Sequence, residues 1–299
     1  MFFTDKSGYP NPHQSRPFWR DVIAWSSSVT PRVTPRILVI GLYAAMVVAV
    51  HQSLPWQPLA VSHVQYTGAV LVLLMVLRTN ASYDRWWEGR RLWGGIVNQC
   101  RSVGLRLRVA IDDVEEQQTL LRWVAAFPVA CMQTLRERPS ESALTPLLGP
   151  EGAQTVAGDL HPPSFVVEEL LRRIRQRRSA DGLTDADYLF IDVELGHLIN
   201  HMGGCERILR TPLPLVHRVK LRRFIVMYLA AFPFVVVGNG MSLVPFMTMI
   251  VAYPLLAIDQ MAQELESPFS TASLSHLPLE SICATIERTV VQRVDRAKE

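Results

Sequence analysis

The stretch RTNASYDRWWEGRRLWGG, residues 78–95, begins where a long uncharged block of the chain ends. This abrupt change in composition predicts the fold. The stretch crowds three tryptophans and a cluster of charged side chains directly after the 41 residues 37–77, which contain no Asp, Glu, Lys or Arg. A second uncharged block of 35 residues covers 224–258. Soluble helices carry a polar face, so charged residues recur along them every turn or two. Charge segregated into blocks is instead typical of a membrane protein.

The two uncharged blocks are long enough for four membrane crossings. A membrane-spanning helix needs about 20 mostly apolar residues to cross about 30 Å of hydrocarbon. The proline-containing stretch HQSLPWQPLAVSH, residues 51–63, divides the first block, and VGNGMS, residues 237–242, divides the second. We therefore predict two helical hairpins, with crossings near 37–50, 59–77, 224–237 and 243–258.

The alternative is that both blocks are buried hairpins of a soluble protein. The basic residues favour the membrane, because they gather at one end of both hairpins while the connecting turns contain no Lys or Arg. By the positive-inside rule, both termini and the middle of the chain are cytoplasmic, in a multi-pass protein of the inner (plasma) membrane. The flanking basic residues are Arg32, Arg36, Arg78, Arg85, Lys220, Arg222 and Arg223.

We expect an all-α chain, because helical spacing recurs throughout and no alternating strand pattern is present. Five segments follow from the charge pattern. They are a cytosolic N-terminal amphipathic segment (1–36), the first transmembrane hairpin (37–77), a cytosolic helical domain (78–223), the second transmembrane hairpin (224–259) and a cytosolic C-terminal segment (260–299).

Within the middle segment, the proline-free sequence that includes RTNASYDRWWEGRRLWGG predicts one helix running from the bilayer far into the cytoplasm. A stripe of Leu120, Leu121, Val124 and Phe127 predicts the buried face of another helix. Residues 139–163 are rich in Pro, Gly and Ser and predict a loop or short helical turns. Thr184, followed by acidic residues, predicts a helix N-cap.

The sequence offers no convincing enzyme, metal or cofactor site. His197 and His201 in HLINH share a helix face, but without the glutamate of HExxH or a third ligand they indicate ordinary packing rather than zinc. GPEGAQTV lacks the Gly-Lys-Ser/Thr of a phosphate loop. The four cysteines are widely spaced and form no CxxC pair, so they predict free thiols. A net charge of +3 is too small to indicate nucleic acid.

The tryptophans of the opening stretch allow two interpretations. An interfacial aromatic belt would place Trp86 and Trp87 at the membrane boundary, but it leaves the aromatics of the next two turns unexplained. Trp86 and Trp93 are seven residues apart and share a helix face. Glu88 can reach Arg85 or Arg91 at helical spacing.

Three separated motifs resemble the bestrophin family in its bacterial branch. RTNASYDRWWEGRRLWGGIVNQCR resembles the family signature that follows the second membrane helix, and FWRDVIAW near the N-terminus fits the same branch. The other two motifs are GGCERILRTPLPLVH at 203–217 and AQELESPFSTASLSHLPLESICATIER at 262–288.

The resemblance implies a homopentameric ion channel whose second membrane helix lines the pore. Three apolar residues of that helix would form a narrow neck, here Ala69, Leu73 and Leu77, which share one face at i, i+4 and i+8. Rings of such residues gate by dewetting. From the residues alone, a lipid-facing position for these leucines stays open. The resemblance places a second, cytosolic aperture near Ala186.

We assign the signature to assembly and support of the gate rather than to ion contact, because its indoles supply large buried area and Arg85, Glu88 and Arg90 can pair where water is partly excluded. Residues with this role are Arg78, Asn80, Tyr83, Arg85, Trp86, Glu88, Arg90 and Trp93. Animal members bind calcium after the last membrane helix, but only Asp259, Glu264 and Glu266 occur there, and no high-affinity calcium site is expected.

The expected function is passage of small monovalent ions, either chloride and other anions or sodium, by a self-assembled channel in the lipid bilayer. The alternative is a membrane-anchored helical enzyme or scaffold whose cytosolic domain binds a partner. A transporter is less favoured, because the uncharged hairpins contain no ionisable site at the bilayer midplane.

Overall fold

The structure is a computed structural model that describes residues 18–25, 28–179, 183–239 and 241–292. Within those residues every regular element is helical, which confirms the all-α prediction. Residues 1–17, 26 and 27 of the predicted N-terminal segment, and 293–299 of the C-terminal one, lie outside the described part. The helices are α1 (Phe18–Val22), α2 (Thr30–Ser53), α3 (Val61–Ala110), α4 (Val114–Leu135), α5 (Glu141–Gly158), α6 (Pro162–Ser179), α7 (Asp185–Arg210), α8 (Leu215–Val236), α9 (Val244–Glu266) and α10 (Leu279–Val290). Two 3-10 turns, Val237–Asn239 and Met241–Leu243, lie between α8 and α9.

The long helix α3 contains both the end of the first uncharged block and the whole opening stretch. It runs for 50 residues without a break, which at 1.5 Å per residue is about 75 Å. No proline occurs between Pro58 and Pro128, so nothing in the sequence removes a backbone hydrogen bond from it. The predicted single long helix is thereby confirmed.

Three helices of the described chain are long and apolar enough to cross a membrane, namely Thr30–Ser53, Val64–Ala110 and Val244–Glu266. The helix of the third predicted crossing, α8, differs in composition. Its first half carries Arg218, Lys220, Arg222 and Arg223, so only the part from Phe224 onward is uncharged.

These apolar helices form one bundle. Helix α9 packs against α2, α3 and α8, and α3 also packs against α8. Their common core includes Leu71 and Met75 of α3, Ile225 and Leu229 of α8, and Ala252 of α9. The part of α3 from Arg78 onward leaves this bundle and enters a second core.

The second core lies in a helical body formed by the C-terminal half of α3 with α4, α5, α6, α7 and α10. The predicted stripe of Leu120, Leu121, Val124 and Phe127 is fully buried there, as the spacing indicated. Helix α7 begins as predicted, because the Thr184 hydroxyl accepts a hydrogen bond from the Asp187 backbone N–H at 3.2 Å.

Residues 139–163 are mostly helical, so the loop, one of the two predicted alternatives, is wrong over most of this stretch, and short helical segments, the other alternative, form instead. Non-helical Gly149 divides α5 into two short helices at a kink, and its φ of 73° is a left-handed conformation that glycine adopts without steric cost. On either side of the kink, Leu144 and Val156 are fully buried. Packing of α5 against α4 and α6 therefore overrides the turn-forming composition.

The four cysteines, which are widely spaced in sequence, are all buried in the core of the helical body. They come from α3, α4, α7 and α10 and belong to the same buried cluster. Burial raises the pKa of Cys205 and Cys283 to about 12, which makes them poor nucleophiles. Among the described residues, no three His, Cys, Asp or Glu side chains are placed to hold a metal ion.

Candidate functional site

The α3 face predicted to form the neck lies on the surface of the subunit. Leu71 and Met75 are buried in the bundle core. Leu73 is two residues from each of them, and a turn of about 100° per residue places it on the opposite side of the helix. Leu73 and Leu77 are 59% and 58% exposed, and Ala69 is exposed as well. These three residues form an apolar stripe left open by the described part of the subunit.

A layer of ion pairs lies where the uncharged part of α3 ends. Arg78 bonds to Asp259 of α9, and its Nη2 donates to Oε1 of Glu266 at 3.1 Å. Asp259 also accepts from Nε of Arg222 on α8 at 2.9 Å. The side chains of Arg78 and Asp259 are almost wholly buried, so each charge has its partner in a place from which water is excluded. The layer fixes the rotation of α3 relative to α8 and α9.

The same layer extends to α2. Arg32 of α2 bonds to Glu264 of α9, which also accepts from the Leu274 backbone N–H and from Nε2 of Gln260, both at 2.8 Å. The third acid of this region, Glu266, accepts from Arg78. Arginines therefore bind all three acids that follow the last uncharged block, and these acids are not arranged as ligands of one calcium ion.

Arg85 holds the ends of two helices. Its guanidinium donates to the backbone oxygens of Glu266 at 2.8 Å and Thr211 at 2.7 Å, and also to that of Ile208. The last carbonyls of α7 and α9 lack partners within their own helices, so Arg85 supplies donors that they need. Glu88 pairs with Arg207 of α7 rather than with Arg85 or Arg91.

The tryptophans of the signature mostly face the helical body. Trp93 is completely buried, and Nε1 of Trp86 donates to the Ser275 backbone oxygen at 2.7 Å. The Tyr83 ring stacks with those of Trp86 and Trp87, with centroid distances of 6.2 Å and 6.5 Å. The shared face of Trp86 and Trp93 thus packs α3 against the body and against the segment that follows α9. The remaining predicted support residues, Asn80, Tyr83 and Arg90, are exposed on the subunit.

The HLINH motif belongs to the contact between α3 and α7. The His201 ring lies so close to Gly95 that a Cβ added to that glycine would be 2.4 Å from Nε2. Burial, and secondarily the neighbouring His197, lower the pKa of His201. His197 itself is exposed. Ordinary packing, the interpretation that the sequence favoured over zinc, accounts for His201.

The start of α7, where the second aperture is predicted, is tied to the distal part of α3. Nε of Arg106 on α3 lies 3.4 Å from the Asp187 carboxylate, and its guanidinium lies 4.5 Å from the centroid of the Phe190 ring. Ala186, in the first turn of α7, is exposed. Contacts with α3 thus hold the helix turn that presents Ala186.

Comparison with known proteins assigns the family. Residues 11–292 match the family model described as Bacterial/Fungal Bestrophin protein. The chain belongs to the bestrophin family. A voltage-dependent anion channel-forming protein of Ralstonia nicotianae is 33% identical to this bestrophin over 284 residues, which cover 91% of the chain and 90% of the relative. One from Synechocystis is 31% identical over 289 residues, covering 93% and 92%.

A solved structure shares the fold of this bestrophin. The bacterial bestrophin homolog from Klebsiella pneumoniae is 28% identical, with a TM-score of 0.80 over 87% of this chain and 97% of that one. The resemblance found in the signature and the two later motifs is confirmed. With it, the expectation that the protein is a membrane channel and not an enzyme is confirmed.

The sequence did not reveal which residues partner the signature. Asp259 and Glu266 were recognised only as too few acids for calcium, yet they bind Arg78. Arg207 and Arg222, the partners of Glu88 and Asp259, were not assigned to a site. One feature of the sequence could have indicated the Arg78–Asp259 pair. Each of the two residues directly follows an uncharged block, at the same predicted end of the two hairpins.

Proposed function

We propose that this bestrophin is a homopentameric channel that passes small monovalent anions such as chloride along Ala69, Leu73 and Leu77 of α3. The observation that carries the proposal is the exposed apolar stripe, which lies opposite the packed side of the longest helix. Exposure alone would suit contact with lipid equally well. Membership of the bestrophin family, and relatives that are named anion channel-forming proteins, support a pore.

In the proposed topology the chain crosses the membrane four times, through α2, the first part of α3, α8 from Phe224, and α9. The Leu59 N–H, in the turn of the first hairpin, donates to the Phe234 carbonyl, near the turn of the second, at 3.1 Å. Both hairpin turns therefore lie at the same end of the bundle. Gly238 is also so close to Pro58 that an added Cβ would be 2.8 Å from its ring. The ion-pair layer lies at the other end, which supports cytoplasmic termini by the positive-inside rule.

The neck then controls conduction through size and wetting. Five copies of the stripe would form rings of leucine, and an ion must shed part of its hydration to pass an apolar ring that tends to empty of water. Arg78 follows Leu77 directly and is held by Asp259 and Glu266. We propose that this anchoring keeps the leucine side chains directed toward the axis.

Beyond the neck, the helical body would surround a vestibule that ends at the aperture near Ala186. The exposed position of Ala186, and the contacts of Arg106 with Asp187 and Phe190, support a fixed constriction there. A methyl side chain leaves room at the axis, so this aperture would restrict hydrated ions less than the leucine neck does.

The proposal is tested by reconstituting the purified protein in a planar bilayer with a NaCl gradient and recording the reversal potential. We expect current that depends on the protein and reverses with the sign set by chloride. Replacing chloride with gluconate should remove most of that current, and native mass spectrometry should give five subunits. A reversal potential of the opposite sign would make the channel sodium-selective, and absence of current under all conditions would reject the pore.

A further inference from the structure

An apolar crevice lies beside the neck stripe, between α3 and α8. It encloses about 350 Å³ and is walled by Val70 and Leu74 of α3 and by Phe224 and Met227 of α8. Val70 and Met227, at 59% and 64% exposed, stand at its surface. Apart from the side chains of Thr67 and Tyr228, its lining is apolar. The subunit therefore presents a preformed hole at the level of its neck.

An apolar ridge lies on the other flank of the same helix. At about 100° per residue, Val70 and Leu74 lie roughly 60° to 100° to one side of Leu73, and Val72 and Val76 lie at the same angles to the other side. Both ridge valines are about half exposed. Valine is stiff at χ1, so it loses little side-chain freedom when it packs.

A closed ring of identical subunits requires a heterologous interface, in which two different surfaces of each subunit meet. If α3 lines a central pore, its two flanks are the surfaces that face the preceding and the following subunit. We infer that the ridge of Val72 and Val76 on one subunit packs into the α3–α8 crevice of the next subunit and so closes the ring around the neck. This inference rests on the proposed pore.

A second copy of the chain suits the crevice better than a lipid tail for two reasons. Helices in a bilayer associate through close packing rather than through the hydrophobic effect, and a stiff ridge in a preformed hole provides that packing. The ridge and the crevice also lie at the level of Leu73. Contact between subunits at this level would seal the pore, whereas lipid in the crevice would leave adjacent pore helices apart.

Cysteine cross-linking in the reconstituted full-length protein tests the interface. The double variants Val72→Cys/Met227→Cys and Val72→Cys/Val70→Cys place one thiol on the ridge and one at the crevice. A short bifunctional thiol reagent should join successive subunits, and denaturing gels should show a ladder from dimer to the complete ring. Val70 and Val72 lie on opposite sides of α3, so links within one subunit cannot produce the ladder. The native cysteines are buried, and the unmodified protein serves as the background control.

Single variants separate this interface from the pore itself. Val72→Cys alone should give no cross-linked species, because the ridge faces a different surface. Leu73→Cys alone should give dimers and nothing longer, because each pore-facing thiol can join only one other across the axis. Absence of the ladder in both double variants, together with Leu73→Cys dimers and with current in the unmodified protein, would overturn the interface and leave the pore intact. Loss of the dimers and of current in the unmodified protein would reject the pore and the interface together.

Discussion

Arg78 and Asp259 are 181 positions apart in the chain and form a buried ion pair between α3 and α9. Asp259 also binds Arg222 of α8, so a single carboxylate joins three helices. The pair lies one residue beyond Leu77, the last residue of the proposed neck. A contact that determines the rotation of α3 therefore also determines which side chains can reach a pore axis.

Asp259→Asn should destabilise the protein, because buried Arg78 would keep only Glu266 as a charged partner and the link from α9 to Arg222 would be lost as well. Removing one partner of a buried pair typically costs about 3–5 kcal/mol. The measurement is the thermal unfolding midpoint of the purified protein. As a control, Asp185→Asn removes an exposed partner of Arg178, 2.8 Å away, and should cost about 1 kcal/mol or less. Equal shifts for the two variants would contradict a buried ion pair.

Leu73→Ala and Leu77→Ala should each raise unitary conductance by roughly twofold or more, since a smaller apolar side chain widens and wets the neck. Single-channel recording in bilayers measures the effect. Leu42→Ala on α2 provides a matched control, because Leu42 is 74% exposed and belongs to a helix that does not line the proposed pore. Similar conductance in all three variants would place the two α3 leucines away from the pore.

Gly95→Ala should destabilise the contact between α3 and α7, because the added Cβ would lie 2.4 Å from the His201 ring. Overpacking of this kind costs about 1–3 kcal/mol, which the helix-propensity gain of about 0.5–1 kcal/mol from replacing a helical glycine offsets in part. The adjacent Gly94→Ala is the control, since its Cβ would meet only the Arg90 guanidinium at 3.6 Å. That variant should gain about 0.5–1 kcal/mol from helix propensity. If both variants lower the unfolding midpoint equally, close packing at Gly95 is not the cause.

Arg136, directly after α4, donates from Nη2 to Oε2 of Glu280 on α10 at 2.9 Å, and this ion pair should make stability depend on acid pH. The hydrogen bond from Arg136 lowers the pKa of Glu280 below its ordinary 4.5 and outweighs partial burial, which acts to raise it. The stabilisation is therefore fully present above pH 4.5 and is lost as the pH falls through the lowered value. Glu280→Gln should lower the unfolding midpoint at neutral pH by the equivalent of about 1 kcal/mol or less, with the difference vanishing in acid.

A midpoint series in buffers from neutral to acid pH checks this dependence. Glu287→Gln, in the same helix, is the control and should show no comparable pH-dependent difference, since the ion pairs of the described chain do not include Glu287. A constant difference between Glu280→Gln and the unmodified protein at every pH would exclude ionisation of Glu280 as its source.

The buried thiols should resist reagents in the native protein. A pKa raised from 9.0 to about 12 at Cys205 and Cys283 reduces their thiolate fraction at pH 8 by about a thousandfold, and burial further blocks access. Titration with a chromogenic disulfide reagent should detect almost no reaction until a denaturant is added, and then four thiols per chain. Rapid native reaction of any of the four would show that the helical body opens readily.

Much of this architecture follows from local properties of the sequence. The uncharged blocks indicate membrane helices because the cost of placing a charge in hydrocarbon acts on each segment separately. The absence of proline allows the single long α3, and the Thr184 cap marks the start of α7, because helix formation and capping depend on neighbouring residues. The signature motif identifies the family for the same reason, since it is one continuous stretch.

Tertiary structure decided what these local signals could not. The partner of Arg78, the burial of four distant cysteines in one core, and the fit of His201 against Gly95 each depend on how helices far apart in sequence rotate and pack. Residues 139–163 became helical because α4 and α6 bury their apolar side chains, against the local turn propensity. In the same way, helical spacing put Ala69, Leu73 and Leu77 on one face, but only the packing of Leu71 and Met75 against the other membrane helices turned that face outward.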